Sequence, residues 1–494
     1  MTNFTRRKFV ATTALAASAA ALPLPGIWDG AALAAANVRP NAYSPEGKRM
    51  LGLYARAVGL MKTRAMGDPT SWTFQFYTHW VPGPPPADDR TKNAAIATLP
   101  ASQRAAAQTM WNTCQGHGPN TSAGIIYFLP WHRMFVYYFE KLIRAACGDN
   151  SFMLPYWDYL AHGEGPLPPE FRDRSSPLFF ANRRPSRGFL PSVNDGAVVP
   201  STIVNYDCLK LPDYYLSAET PPNFSLSIDQ NPHGQIHDET GDGNNADWQK
   251  WGMSFVPTAA EDPIFYLHHC NIDRLWASWN AAGKRNPTTT EWLNKPFTFA
   301  NVDGTLSQSL VGAYTDIARL GYSYERLQPV PTAAASAVLL AARFKASPVT
   351  LGGGAVPSLG ASPVQVSLAA PAATALSAQM KGFPKSSEYY LVVEGLTADN
   401  APGNHYRIYL GAPAGAKGKA LERYYVGTPS FFDAVGMSKT AGMGGSPPFT
   451  FNVTNIIARV PPKDRDALQV TLVPTDAPAA GSNPAIAKIS LVAD

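Results

Sequence analysis

Histidine placement is the tightest constraint in this sequence. Eight of its nine histidines precede residue 326, and several sit inside apolar runs that read as buried helix. His233 and His237 are four residues apart, so on a helix both imidazoles share one face, one turn apart. No Glu follows His233, so the zinc-protease pattern is absent. His268 and His269 are adjacent in the run from Asp262 to Trp276. Neighbours on a helix point about 100° apart, so one of the two is expected to join the 233/237 pair. His132 enters a further apolar stretch, Phe128–Phe135. One such histidine is ordinarily a hydrogen-bonded core residue. Several converging ones read as a metal centre. Imidazole suits copper, zinc, iron and nickel, so the residues alone leave the metal open. Asp273, four residues after His269, is a candidate to orient a ring and equally a candidate for an ion pair with Arg274.

The surrounding pattern divides the chain. From about 40 to 325, helical stretches alternate with loops at 82–86 and 163–200. Ser44-Pro45 reads as a cap and first helical position, before a stripe of Leu51, Tyr54, Ala55, Val58 and Met61. Further helices are expected at 131–146 and from Asp262-Pro263 to about 280. Beyond 326–335 no Trp occurs, and short alternating runs at 364–370, 389–394, 405–410, 450–453 and 468–473 read as strands. The expected fold is a mainly α, helical-bundle catalytic domain with long loops at 37–325, a linker at 326–347 and a C-terminal β-sandwich at 348–494. With 39 Gly and 45 Pro in 494 residues, many irregular loops are expected in a folded chain.

Residues 1–36 read as an address. Arg6-Arg7 precede an Ala-rich apolar run and a small-residue site at Ala34–Ala36, the pattern of twin-arginine export to the periplasm or beyond. That route carries folded proteins, which favours a cofactor. The net charge of +5 comes with no basic block, so nucleic acid is not an expected partner. No membrane span is expected either. Four cysteines are too few for a disulfide scaffold, and a bridge among Cys147, Cys208 and Cys270 stays open.

The segments 128–135, 232–238 and 262–276 resemble the signatures of the tyrosinase and catechol oxidase family, the type-3 copper proteins. The resemblance covers roughly 45–325. The C-terminal part resembles the β-sandwich that follows the catalytic domain in plant polyphenol oxidases, at 389–394 and 450–473. The resemblance implies two copper ions, each held by three histidines. One set falls on His233, His237 and His269, with His268 a neighbour. The other falls on His79, His117 and His132. Relatives place the middle ligand of this second set nearer to the Pro-Trp-His ligand, at a position filled here by Ala123. A loop insertion around 119–123 makes His117 the candidate. Many relatives carry a cysteine just before that ligand, joined to the imidazole by a thioether; Cys114 is the candidate here, in a C-x-x-H spacing one residue longer than the C-x-H of some relatives.

The implied chemistry is oxidation of o-diphenols to o-quinones with dioxygen, so a phenolic small molecule and dioxygen are the expected partners. Some relatives also hydroxylate monophenols, with a carboxylate and an Asn holding a basic water. Here Asp229 stands where a Glu is common and Gly234 where the Asn would be, which points toward diphenol oxidation. Val256 falls at the gate position, where a small residue leaves access. The C-terminal sandwich is expected as a lid, with the covering residue unassigned; His405 and the aromatics of 424–432 belong to that domain. A non-catalytic dioxygen carrier of hemocyanin type is the alternative. Self-association through the Pro-rich loops stays open.

Overall fold

The computed structural model describes residues 37–493 apart from 81–88, 115–121, 162, 187–190, 200, 216–221, 246, 331–348, 370–375, 384–386, 414 and 436–445. The export segment, the loop at 82–86 and most of the 326–347 linker lie outside the described residues. Among the described residues no helix is long and apolar enough to cross a membrane.

Six helices position the histidines. Helix α1 (Pro45–Lys62) starts as expected: the Ser44 hydroxyl accepts from the Gly47 amide at 3.1 Å, and Met50, Leu51, Tyr54, Val58 and Met61 form its buried face. Helix α2 (Trp72–Thr78) is capped by Ser71 and ends at His79. Helix α3 (Ser122–Cys147) begins earlier than expected and runs through Pro130. Short helices α4 (Phe224–Ile228) and α5 (Gln235–Thr240) flank a wide turn at Asp229–Gly234, where Asn231 leaves helical geometry and Pro232 brings no amide hydrogen. His233 therefore sits in a turn and His237 on a short helix, rather than both on one continuous helix. Helix α6 (Ile264–Ala281) is buried on every face from Ile264 to Trp279, which makes it the central helix of the bundle. It packs on α3, which packs on α1.

The long segment 163–200, read as loop, is organised around Arg183. Its guanidinium pairs in two parallel bonds with Asp262, both at 2.7 Å, and donates to the carbonyls of Phe171 and Leu178. Asp262 in turn accepts the Ile264 amide at the start of α6. Both partners of the pair are fully buried. An irregular segment is thus tied to the helix that carries His268 and His269.

The C-terminal part is the expected sandwich. Strands β1 (Val349–Ala355), β2 (Val364–Ser367), β3 (Tyr389–Glu394), β4 (Tyr406–Leu410), β5 (Tyr425–Gly427), β6 (Phe449–Asn452), β7 (Gln469–Pro474) and β8 (Lys488–Ala493) form two antiparallel sheets in the orders β6-β3-β8-β1 and β2-β7-β4-β5. In β7, Val470 and Leu472 face the core and Thr471 does not, the two-residue period of a half-buried strand. Leu391 pairs with Leu491, and both join a core distinct from that of the helices. The five expected strands are present. Strand β1 was not foreseen because Gly352-Gly353-Gly354 reads as loop. Those glycines let the backbone approach its neighbours: a Cβ on Gly354 would lie 2.6 Å from the Ser367 carbonyl.

Arg183→Met would leave Asp262 buried without its counter-charge. The expected cost is about 3–5 kcal/mol, read as a lowered urea midpoint. A loss below about 1 kcal/mol would show that the pair does not anchor the loop.

Candidate metal centre

The structure gathers the histidines of α2, α3, α5 and α6 into one buried pocket. His233, His237, His268 and His269 each offer a ring nitrogen within 4.8 Å of the others, and His79, His132 and His269 do the same. The two groups meet at His269, whose ring stacks on His132 at 4.0 Å and lies 5.0 Å from His233. His268 was expected to point away. Its ring instead stands 4.9 Å from that of His237 and 5.3 Å from that of His233. The angular difference between adjacent helical positions fixes Cβ directions, and the long imidazole arms bring both tips to the same pocket. His117 lies outside the described residues.

Backbone carbonyls set the tautomers. The Nδ1 of His79 faces the Val256 carbonyl at 3.2 Å, that of His132 faces Phe128 at 2.9 Å, that of His233 faces Asp229 at 3.1 Å and that of His237 faces Met253 at 2.8 Å. A carbonyl can only accept, so each Nδ1 carries the hydrogen and each Nε2 presents its lone pair to the pocket. The Nε2 atoms of His233, His237 and His269 are buried with no hydrogen-bond partner. Orphaned buried acceptors are costly and call for a ligand. Neutral imidazoles converging this way, with no carboxylate in either group among the described residues, fit a borderline soft metal ion. Burial lowers the basicity of His79 to about 3 and of His233 to about 4, and holds His237, His268 and His269 well below the ordinary imidazole range. All five rings are neutral, the form that ligates metal.

Aromatic rings fill the walls. Phe265 lies 4.6 Å from His79 and 4.2 Å from His269, and Phe128 lies 4.7 Å from both His132 and His233. Val256 contributes its carbonyl to His79, while its half-buried side chain packs on the helical core. Cys114 is fully buried, and burial raises its thiol well above the usual range. Cys114, Cys147, Cys208 and Cys270 form no disulfide, which removes the bridge left open above.

The other candidates take different places. Asp229 lies in the turn before His233, its carboxylate 3.0 Å from Nδ1 of that ring, and burial raises it to about 7. Asp273 neither orients a histidine nor pairs with Arg274. It binds Arg39 at 3.1 Å, Arg133, and the hydroxyls of Tyr322 and Tyr324 at 2.6 Å each. Burial pushes this carboxyl up, but Arg133 and Arg39 outweigh that and hold it below the ordinary carboxylate range. Arg274 pairs with Asp158 at 2.9 Å. Arg39 also lies 3.9 Å over the Tyr322 ring and bonds Glu140 on α3. Asp273 thus fastens α6 to α3, one residue beyond His132, and to both ends of the helical part.

The sandwich reaches this pocket. Phe432 stacks on His237 at 4.1 Å with the planes 13° apart, and lies 5.7 Å from His233. Ser430 donates to Asp238 at 2.6 Å, and Gln235 donates to the Thr428 carbonyl at 2.6 Å. His405 meets Glu239 at 2.5 Å. Phe432 is the residue of the run 424–432 that meets the histidines, and no pattern in that run singled it out. Phe265 and Phe128 were likewise not foreseen as pocket walls, although both stand in the quoted helical motifs.

A family model described as the common central domain of tyrosinase matches residues 99–186 and 194–282. A domain of unknown function matches 352–494. The chain is 32% identical to tyrosinase HcTyr1 of Hahella sp. (strain CCB-MM4) over 309 residues, 57% of this chain and 61% of that one. It is 27% identical to a chloroplastic polyphenol oxidase of Malus domestica over 391 residues, 70% of this chain and 64% of that one. The alignments therefore span less than two thirds of these relatives. The fold is similar to that of latent apple tyrosinase, at a TM-score of 0.59 and 21% identity over 93% of this chain and 97% of that one.

Five buried neutral histidines make the copper-free protein acid-sensitive. Their folded basicities are depressed, so below about pH 6.5 the unfolded chain takes up protons that the folded chain refuses. Stability present above that pH is lost as pH falls, by up to about 1.4 kcal/mol per pH unit for each ring. Urea midpoints of the copper-free protein are expected to drop steeply from pH 7 to 5, and a flat profile would contradict the burial.

Proposed function

The chain belongs to the tyrosinase and polyphenol oxidase family, whose central domain is a type-3 dicopper site, and on that premise we propose that it is a dicopper oxidase of phenols. The reading is that it oxidises o-diphenols to o-quinones with dioxygen, with monophenol hydroxylation secondary. The observation that carries it is the convergence of buried imidazoles whose Nδ1 hydrogens are committed to carbonyls. His233, His237 and one or both of His268 and His269 would hold one ion. His79, His132 and a third ligand would hold the other, with His117 the candidate carried by the family motif. Bound there, the copper pair supplies the binding and four-electron reduction of dioxygen. Two diphenols each give up two electrons and two protons, and dioxygen leaves as two waters.

The chain's own residues supply the rest. The buried rings of Phe265 and Phe128 pack against the imidazoles and keep water from them. The carbonyls of Val256, Phe128, Asp229 and Met253 hold the imidazoles in one tautomer. Phe432 stacks on His237, which supports reading the unit 348–494 as a cap that must move before a phenol enters. The absence of a side chain at Gly234 supports the preference for diphenols. The paired arginines and apolar run at the N-terminus support export of the folded, metal-loaded protein.

Oxygen uptake by purified protein on a catechol and on the matching monophenol tests this, before and after cleavage between 331 and 348. The catechol is expected to be the faster substrate, and faster still after cleavage. Copper binding without catechol turnover would assign the chain to the dioxygen carriers. His269→Ala is expected to lower copper content and cut catechol oxidation more than about 100-fold, beyond the loss typical of an outer partner of a metal ligand. Full activity in His269→Ala and loss in His268→Ala would move the ligand to His268.

A further inference from the structure

A β-hairpin late in the helical part carries none of the histidines and has one open edge. Its inner strand, Pro296–Ala300, and outer strand, Leu306–Leu310, pair in unbroken antiparallel register, from Pro296 opposite Leu310 to Ala300 opposite Leu306. One face is spent on the helical core: Phe297 and Phe299 are buried, and the Ser309 hydroxyl bonds that of Tyr138 on α3 at 2.7 Å. The far edge of the inner strand is engaged as well, its Thr298 amide donating to the Thr113 hydroxyl at 3.2 Å. The outer strand has no second partner strand among the described residues.

The phase of the ladder says which groups that edge presents. The Asn301 amide donates to the Thr305 carbonyl at 2.8 Å, and the Val311 amide to the Lys295 carbonyl at 3.0 Å. With Ser307 opposite Phe299 and Ser309 opposite Phe297, the odd-numbered residues of the outer strand bond inward. Leu306, Gln308 and Leu310 therefore turn their amide hydrogens and carbonyls away from the hairpin. Edge strands are ordinarily blunted by a charge, a proline or a bulge. Residues 304–312 read Gly-Thr-Leu-Ser-Gln-Ser-Leu-Val-Gly, with no charge and no proline, and the register does not shift. Gln308 is exposed, and Leu310 is 46% exposed.

These nine residues read almost alike from either end. Gly304 mirrors Gly312, Thr305 mirrors the similarly shaped Val311, Leu306 mirrors Leu310, Ser307 mirrors Ser309, and Gln308 is the centre. Two identical strands paired antiparallel about a two-fold axis set each residue opposite its mirror position. We infer that the outer edge of this hairpin is a self-association surface, and that its partner is the same strand of a second copy of this chain, paired about Gln308. Gln308 then faces its own counterpart, and Leu306 and Leu310 of one copy face Leu310 and Leu306 of the other. Each of these three pairs exchanges two main-chain bonds, and the two hairpins become one four-stranded sheet. The mirror order is what selects a second copy over a strand of another protein. The contact is small, so the association is weak and concentration-dependent.

Sedimentation velocity of the full chain over about 1–100 µM tests this. The unaltered protein is expected to pass from monomer to dimer across that range. Gln308→Pro removes an outward amide hydrogen while sparing the inward bonds of the hairpin, and is expected to stay monomeric with an unchanged circular dichroism spectrum. Gln308→Lys and Gln308→Glu each set like charges face to face on the axis, and each is expected to weaken the dimer about five-fold. An equimolar mixture of those two variants is expected to associate more tightly than either alone, because lysine then faces glutamate. An unaltered protein that stays monomeric throughout would overturn the inference. So would a dimer that persists in Gln308→Pro, which would place the contact elsewhere. A mixture no tighter than its components would overturn the two-fold pairing about Gln308.

Discussion

Four imidazoles give their Nδ1 hydrogens to main-chain carbonyls, and the centre depends on that arrangement. Each bond fixes a ring's rotation and its tautomer in one step. The carbonyls come from separate places, at Phe128 on α3, Asp229 in the turn after α4, Met253, and Val256. The pocket is therefore correct only when all of these segments have been assembled around α6. Burial keeps the rings neutral, and the bare Nε2 atoms of His233, His237 and His269 are a standing cost that a bound ion would remove. Metal affinity and folding are linked through this cost.

The scaffold meets the same demand with buried charge. Asp273 pairs with Arg39 and Arg133 in the interior and collects two tyrosine hydroxyls, while Glu140 shares the charge of Arg39, so α3 and α6 are held together close to His132 and His269. Arg183 and Asp262 act likewise at the start of α6. Neither pair touches a ligand atom. Both fix the direction from which ligands arrive, and each would be expensive to break by removing one partner. The sandwich adds a third restraint from outside, through Phe432 on His237 and the hydrogen bonds beside it. The same few residues, 233–239, therefore serve the metal pocket on one side and the sandwich on the other.

Much of this was legible in the sequence where chemistry repeats along the chain. The four-residue spacing of His233 and His237, the capped apolar run before His268 and His269, and the two-residue alternation of β2 and β7 are local signals. His79 was reached only through family resemblance, because a lone histidine at a helix end carries no pattern. Asp273 was misplaced because its partner Arg39 is 234 positions away in sequence, and Arg274 beside it offered a nearer pairing. The inward turn of His268 escaped an argument made on Cβ directions. Phe432 could not be separated from the other aromatics of its strand and turn. Gly234 was read only for the side chain it lacks beside His233; that a Cβ there would meet Ser430 shows only with the opposing surface in place, since close approach is a property of two segments at once.

Anomalous diffraction at the copper edge from a copper-loaded crystal tests the central claim most directly. The account requires two peaks in the pocket, one within bonding distance of Nε2 of His233 and His237, the other within bonding distance of His79 and His132, with the His268–His269 pair beside them. A single peak, or copper bound elsewhere on the chain while these nitrogens stay bare, would contradict it.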